Sequence, residues 1–85
     1  MHDENLKYIY YKDKVGEVIG YIAPVPSGVI DVVYVNIIAL REPFGKWEPM
    51  SEKAGSIAID LRKGHNWKIY DDREKFFEEY FEAIL

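Results

Sequence analysis

The segment "LRKGHNWKIYDD", residues 61–72, gathers Arg62, Lys63, His65, Trp67 and Lys68 around one glycine and then runs into two aspartates. Two chemistries could use such a set. A histidine that moves a proton beside lysines that stabilise a phosphorane-like transition state would make a small acid–base ribonuclease, with His65 served by Lys63, Lys68 and Tyr70. An indole beside a lysine would instead stack on an unpaired base while the ammonium meets a phosphate, as in single-strand RNA recognition. A third reading is plainer: the segment is a turn joining a strand to a helix, with a few solvated charges.

The chain offers catalysis few other parts. Its two histidines are His2, close to the start, and His65; its serines are Ser27, Ser51 and Ser56; it has no cysteine. A Ser-His-Asp or Cys-His arrangement is therefore not expected. No H-x-x-x-H, H-E-x-x-H or D-x-D-x-D-G spacing occurs, and the glycines are scattered singly, matching neither phosphate-cradling pattern. No metal, no cofactor and no enzymatic activity are expected. Asp71 and Asp72 read as helix-start residues.

The longest connection is the second candidate. "REPFGKWEPMSEKAG", residues 41–55, is too long for an idle loop in a small domain. Pro43 and Pro49 stiffen it, and Phe44, Trp47 and Met50 give it apolar material. Those side chains either cap one end of a sheet or anchor a partner, a role in which tryptophan is enriched. A helical turn is expected over "PMSEKAG", starting at Pro49. Pooled with the first segment, the two loops carry Arg41, Lys46, Lys53, Arg62, Lys63 and Lys68 against Glu42, Glu48, Glu52 and Asp60. That balance is only mildly positive, so duplex DNA is not an expected partner.

The elements that must position these loops follow from periodicity. "LKYIYYK" (6–12) and "EVIGYIA" (17–23) are aromatic and β-branched on either side of a turn at Gly16, which reads as a hairpin. "PVPSG" (24–28) ends the second strand. "VIDVVYVNIIAL" (29–40) has seven β-branched residues in twelve and reads as a central strand. "SIAIDLR" (56–62) alternates, with Ile57, Ile59 and Leu61 on one face. "WKIY" (67–70) is expected to pair back on it, which would place Arg62, Lys63, His65 and Lys68 at the tip of a second hairpin.

The last segment, "DDREKFFEEYFEAIL" (71–85), has helical spacing. Phe76, Phe77, Tyr80, Phe81 and Ile84 fall within an arc of about 140°, with Lys75, Glu78, Glu79 and Glu82 opposite. Asp71 and Glu74 have the spacing of a capping box. The expected fold is α+β: a four- or five-stranded, mainly antiparallel sheet with one C-terminal helix packed on one face, all within a single domain whose first five residues are disordered.

Charge adds a third candidate surface. The net charge is −4, yet residues 1–70 sum to zero, so the whole excess lies in the last fifteen residues. Glu78, Glu79 and Glu82 would form a solvated face or a negative surface for a basic site on a protein. The absence of cysteine suits a reducing compartment, and no apolar run is long enough to span a bilayer, so a cytoplasmic protein without membrane contact is expected. A homodimer through "YIYY" (8–11), taken as a sheet edge, is weighed equally with a monomer.

The leading functional expectation is a small non-enzymatic binding module acting through a protein partner: an inhibitor, an antitoxin-like protein or an accessory protein of phage or mobile-element type. Glu78, Glu79, Glu82, Phe44 and Trp47 are its candidate contacts. The alternative is a single-stranded RNA-binding module using Arg41, Lys46, Trp47, Arg62, Lys63, His65, Trp67 and Lys68. The ribonuclease built on His65 is the remote one.

Overall fold

The computed structural model describes residues 6–43, 45–50 and 55–81. Six strands, β1 (Tyr8–Lys12), β2 (Glu17–Ile22), β3 (Val32–Arg41), β4 (Glu48–Pro49), β5 (Ser56–Asp60) and β6 (Asn66–Tyr70), form one antiparallel sheet. A helical segment follows, α1 (Arg73–Phe76), which widens into a π-helical turn over Phe77–Phe81. The α+β class expected from periodicity is the fold observed, with a sixth, two-residue strand added by the long loop. Among the described residues no helix is long and apolar enough to cross a membrane.

Strand β3 is central, as its β-branched run implies, pairing with β2 on one side and with both β4 and β5 on the other. It starts later than its composition suggests, because residues 29–31 form a turn. Asp31 takes a left-handed φ of 63°, which is incompatible with a strand. A bulge sits between Ile19 and Gly20 of β2, opposite Ile38, the residue that the register leaves over. Gly20 is required there, since a Cβ would stand 2.3 Å from the Asn36 carbonyl oxygen.

Strand β6 does not form a hairpin with β5. Tyr8 to Lys12 pair with Tyr70 to Asn66, so β6 lies beside β1 at the opposite side of the sheet from β5. A 3-10 turn, Leu61–Lys63, makes the crossing, capped by Asp60, whose carboxylate accepts from the Arg62 amide at 3.0 Å. The sheet curls so that its two ends approach. Tyr11 of β1 donates its hydroxyl to the Asp60 carbonyl of β5 at 2.9 Å. This pairing also corrects the expected edge: "YIYY" belongs to a strand paired on both sides, so β1 has no free edge for another strand to pair with.

Alternation along the strands splits the core in two. Ile9, Tyr11, Val35 and Ile59 are buried in the concave side of the curl. Tyr8, Ile19, Ala39 and Tyr70 face the other way and are covered by Phe76. Phe76 is fully buried, its ring stacked on Tyr8 at 4.8 Å, and burial of such a side chain contributes about 1.5–3 kcal/mol. The helix cap is Asp72, one residue later than the expected capping box: in extended conformation, it accepts from the Glu74 amide at 2.9 Å. Asp71 instead lies 3.9 Å from Lys7. Pro49, where a helical turn is expected to start, is instead extended with Glu48, because the Met50 amide donates to the Ile38 carbonyl at 2.8 Å and carries the loop along β3. The expected disorder of residues 1–5, and the remainder of that turn at residues 51–54, lie outside the described residues.

Candidate interaction surfaces

The helix side of the sheet holds a connected polar and aromatic network. Glu17 of β2 accepts from Tyr10 at 2.5 Å and from the Arg41 Nε at 2.6 Å. Arg41 lies over the Trp47 ring at 4.7 Å, and Trp47 meets Tyr80 edge to face at 6.5 Å. Tyr80 stacks on Tyr10 at 5.0 Å, and Tyr70 donates its hydroxyl to Glu79. Burial alone would raise the Glu17 pKa, but the hydrogen bonds from Tyr10 and Arg41 and the guanidinium charge outweigh it and hold the carboxyl below its ordinary value. Burial first, then the bonds to carboxylates, pushes Tyr10 and Tyr70 above the ordinary phenol value.

This network absorbs several of the residues singled out by type. Arg41 is spent on Glu17 and Trp47, and Trp47 on Arg41 and Tyr80 of the helical segment. Glu79 is exposed but tied to Tyr70, while Glu78 stands in solvent. Lys46 is exposed, and Lys68 turns back over the Tyr70 ring at 4.8 Å. Phe44 and Glu82 lie outside the described residues.

The 61–68 segment divides. Arg62 folds onto Asp60 as a fork, with Nε to Oδ1 at 2.9 Å and Nη2 to Oδ2 at 3.0 Å. Its hydrogen bonds, chiefly, lower the Asp60 pKa. Lys63, His65 and Trp67 are exposed, Trp67 by 45 %. Trp67 stands opposite Tyr11 in the β1–β6 ladder, so it shares the concave side of the sheet, whereas Trp47 packs on the helix side. The two tryptophans do not form one site. The ladder brings in residues that type and spacing did not suggest: the His65 amide donates to the Lys12 carbonyl at 2.7 Å, and Lys12, Lys14, His65 and Asn66 line one hollow.

A further surface was not legible at all. The connection between β2 and β3 presents Val25, Val29 and Ile30 at 64 %, 56 % and 82 % exposure, beside exposed Pro24 and Pro26. It is held firmly. Ser27 donates its hydroxyl to the carbonyls of Val32 at 2.6 Å and Val29 at 3.1 Å and accepts from the Val29 amide at 3.0 Å. Gly28 and Asp31 both take positive φ, and the Asp31 carbonyl accepts from the Leu61 amide at 2.8 Å. The β-branched residues at 29 and 30 carry the same signal as the strand that follows, which hid the turn.

Among the described residues no group of three or more His, Cys, Asp or Glu is placed to hold a metal ion. No protein-family model, no curated protein and no solved structure matches this chain.

Proposed function

We propose that the chain is a small, non-enzymatic, cytoplasmic module that holds a protein partner, and that the connection over residues 24–30 is its main contact. The observation that carries this reading is the outward display of Val25, Val29 and Ile30 on a backbone fixed by Ser27. Apolar side chains left in water on an ordered loop mark an interaction site more often than a structural need. The order also lowers the entropy lost on binding. With Ile22, Val33 and Tyr34, the side chains of Val25, Val29 and Ile30 border an open, largely apolar hollow, which fits an apolar side chain offered by the partner. A bilayer is a poorer match: residues 24–31 contain no lysine or arginine to meet lipid headgroups, and the chain is acidic overall. An inhibitor or accessory subunit is the form such a module would take.

The test is affinity capture from native cells with the parent and with Val25→Asp/Ile30→Asp in parallel, followed by reconstitution of whatever the parent retains from purified components. A partner bound at least tenfold more weakly by the variant, with both chains melting alike, supports the reading. Equal binding of the purified partner by both chains removes the loop from the interface.

A further inference from the structure

We propose that two copies of the chain associate through the free edge of β5, their Ser56–Asp60 strands pairing antiparallel about a two-fold axis at Ala58. Among the described residues the sheet ends in three edges, β4, β5 and β6, and β5 pairs with β3 alone. Two of the three are blunted. β4 consists of Glu48 and Pro49, the latter without a donor, and β6 carries Lys68 at mid-strand. β5 has neither charge nor proline over residues 56–59, and Ser56, Ile57 and Ala58 are exposed.

The main-chain groups of this edge point outward. The Leu61 amide donates to the Asp31 carbonyl, and successive residues of a strand turn their N–H and C=O to opposite sides. Ile57 and Ile59 therefore bond to β3, while Ser56, Ala58 and Asp60 face away from it. The Asp60 carbonyl, which accepts from the Tyr11 hydroxyl, points the same way. Among the described residues no turn, cap or side-chain hydrogen bond reaches the Ala58 N–H or C=O. In an antiparallel pair centred on Ala58, these groups exchange two bonds between the copies, and Ser56 and Asp60 exchange two more at each end. Serine then faces aspartate, so no like charges meet, and Asp60 is already paired with Arg62.

Both faces of the edge are short of cover. Ile57 on the concave side is 38 % exposed, and Tyr34, opposite Ala58 on the other side, is 37 % exposed, because no strand lies beyond β5. A second copy supplies one. Its Ile57 stands opposite Ile59, at the mouth of a hollow bordered by Tyr11, Val18, Ile57 and Ile59, where the charges of Asp13 and Lys63 balance. On the other face the row across the axis runs tyrosine, alanine, alanine, tyrosine, so each Tyr34 ring has room over two small side chains. The same patch serves both copies, as an isologous contact requires. An unrelated strand could make the main-chain bonds; the match of Ile57 to the hollow and of Ser56 to Asp60 within one strand favours a second copy.

Sedimentation velocity from about 1 µM to about 1 mM should show the 10.0 kDa chain giving way to a species of twice that mass. Over the same range hydrogen exchange at the Ala58 amide should slow about tenfold or more, while the β6 amides keep their rates. Ala58→Pro removes the outward donor without touching the bonds to β3, and Ala58→Lys sets like charges on the axis. Both variants should fold and stay monomeric. Tyr34 also borders the hollow beside the 24–30 connection, so Val25→Asp/Ile30→Asp separates the two readings: it should dimerise as the parent does. A monomer throughout the range overturns the proposal. So does a dimer that slows exchange in β6 and not at Ala58, a folded Ala58→Lys variant that dimerises unchanged, or a dimer lost in Val25→Asp/Ile30→Asp.

Discussion

The Tyr11 hydroxyl donates to the Asp60 main-chain carbonyl across 49 residues of sequence, and Gly64 lies so close to the same ring that a Cβ would stand 2.5 Å from its Cε2. One aromatic side chain thus latches the two ends of the curled sheet. Tyr11→Phe leaves the carbonyl without this donor and should cost about 1 kcal/mol. Gly64→Ala has an ordinary backbone conformation, φ −77°, so its cost comes from the ring alone, about 1–3 kcal/mol of overpacking. Adding Tyr11→Leu to Gly64→Ala should recover part of that loss. Denaturant melts of the four chains form the cycle, and strictly additive losses would show that the ring does not set the glycine requirement.

Helix docking gives a graded series. Phe76 is fully buried between Tyr8 and Tyr70, so Phe76→Ala should cost about 3–5 kcal/mol, a large fraction of the stability of a domain this size. Glu79→Ala should cost about 1 kcal/mol because Tyr70 loses its acceptor, although the residue faces solvent. Glu78→Ala should stay within about 0.5 kcal/mol. Equal midpoints for the Glu78 and Glu79 variants would mean that the Tyr70 bond contributes nothing.

The elements with strong internal periods could be read before the fold was known. The 2-residue alternation of 56–60 and the aromatic stripe of the helix needed no tertiary information. The partner of β6 did, because a strand of five residues carries no mark of which edge it joins, and the nearest strand in sequence is the default. That single pairing set His65 beside Lys12 and Lys14 and Trp67 opposite Tyr11, rather than either beside the 41–55 loop's Lys46 and Trp47. The Asp72 cap and the Tyr70–Glu79 bond were hidden for a related reason: each depends on how the helix enters the sheet, which local spacing leaves undetermined by a residue.

Acid should loosen the helix side through Glu17. Its folded pKa lies below the ordinary value of about 4.3, so the stabilisation is present above that value and is lost as pH falls through the folded pKa. Glu17→Gln should flatten the acid limb of a stability–pH profile at the cost of the Arg41 ion pair at neutral pH. Tyr10 and Tyr70 act at the other end. Their folded pKa values are raised, so their contribution is intact below about 10 and is lost as pH rises toward the folded values. An acid limb that is the same in parent and Glu17→Gln would assign it to other carboxylates.

The 24–30 connection should owe its order to Ser27 and Asp31. The Ser27 hydroxyl serves two carbonyls and one amide, so Ser27→Ala removes the clamp that keeps Val29 and Ile30 outward. Asp31 holds φ +63°, a region that aspartate and asparagine tolerate and β-branched residues do not. Asp31→Asn should therefore be nearly neutral and Asp31→Val should cost about 1–2 kcal/mol. Hydrogen exchange gives the direct readout. The Val29 and Val32 amides should lose protection in Ser27→Ala while those of β1 and β6 keep theirs, since the loop is closed by its own bonds and by the single Leu61 to Asp31 link. Unchanged exchange at Val29 and Val32 would show that the prolines alone hold the loop, and the display of Ile30 would then not depend on Ser27.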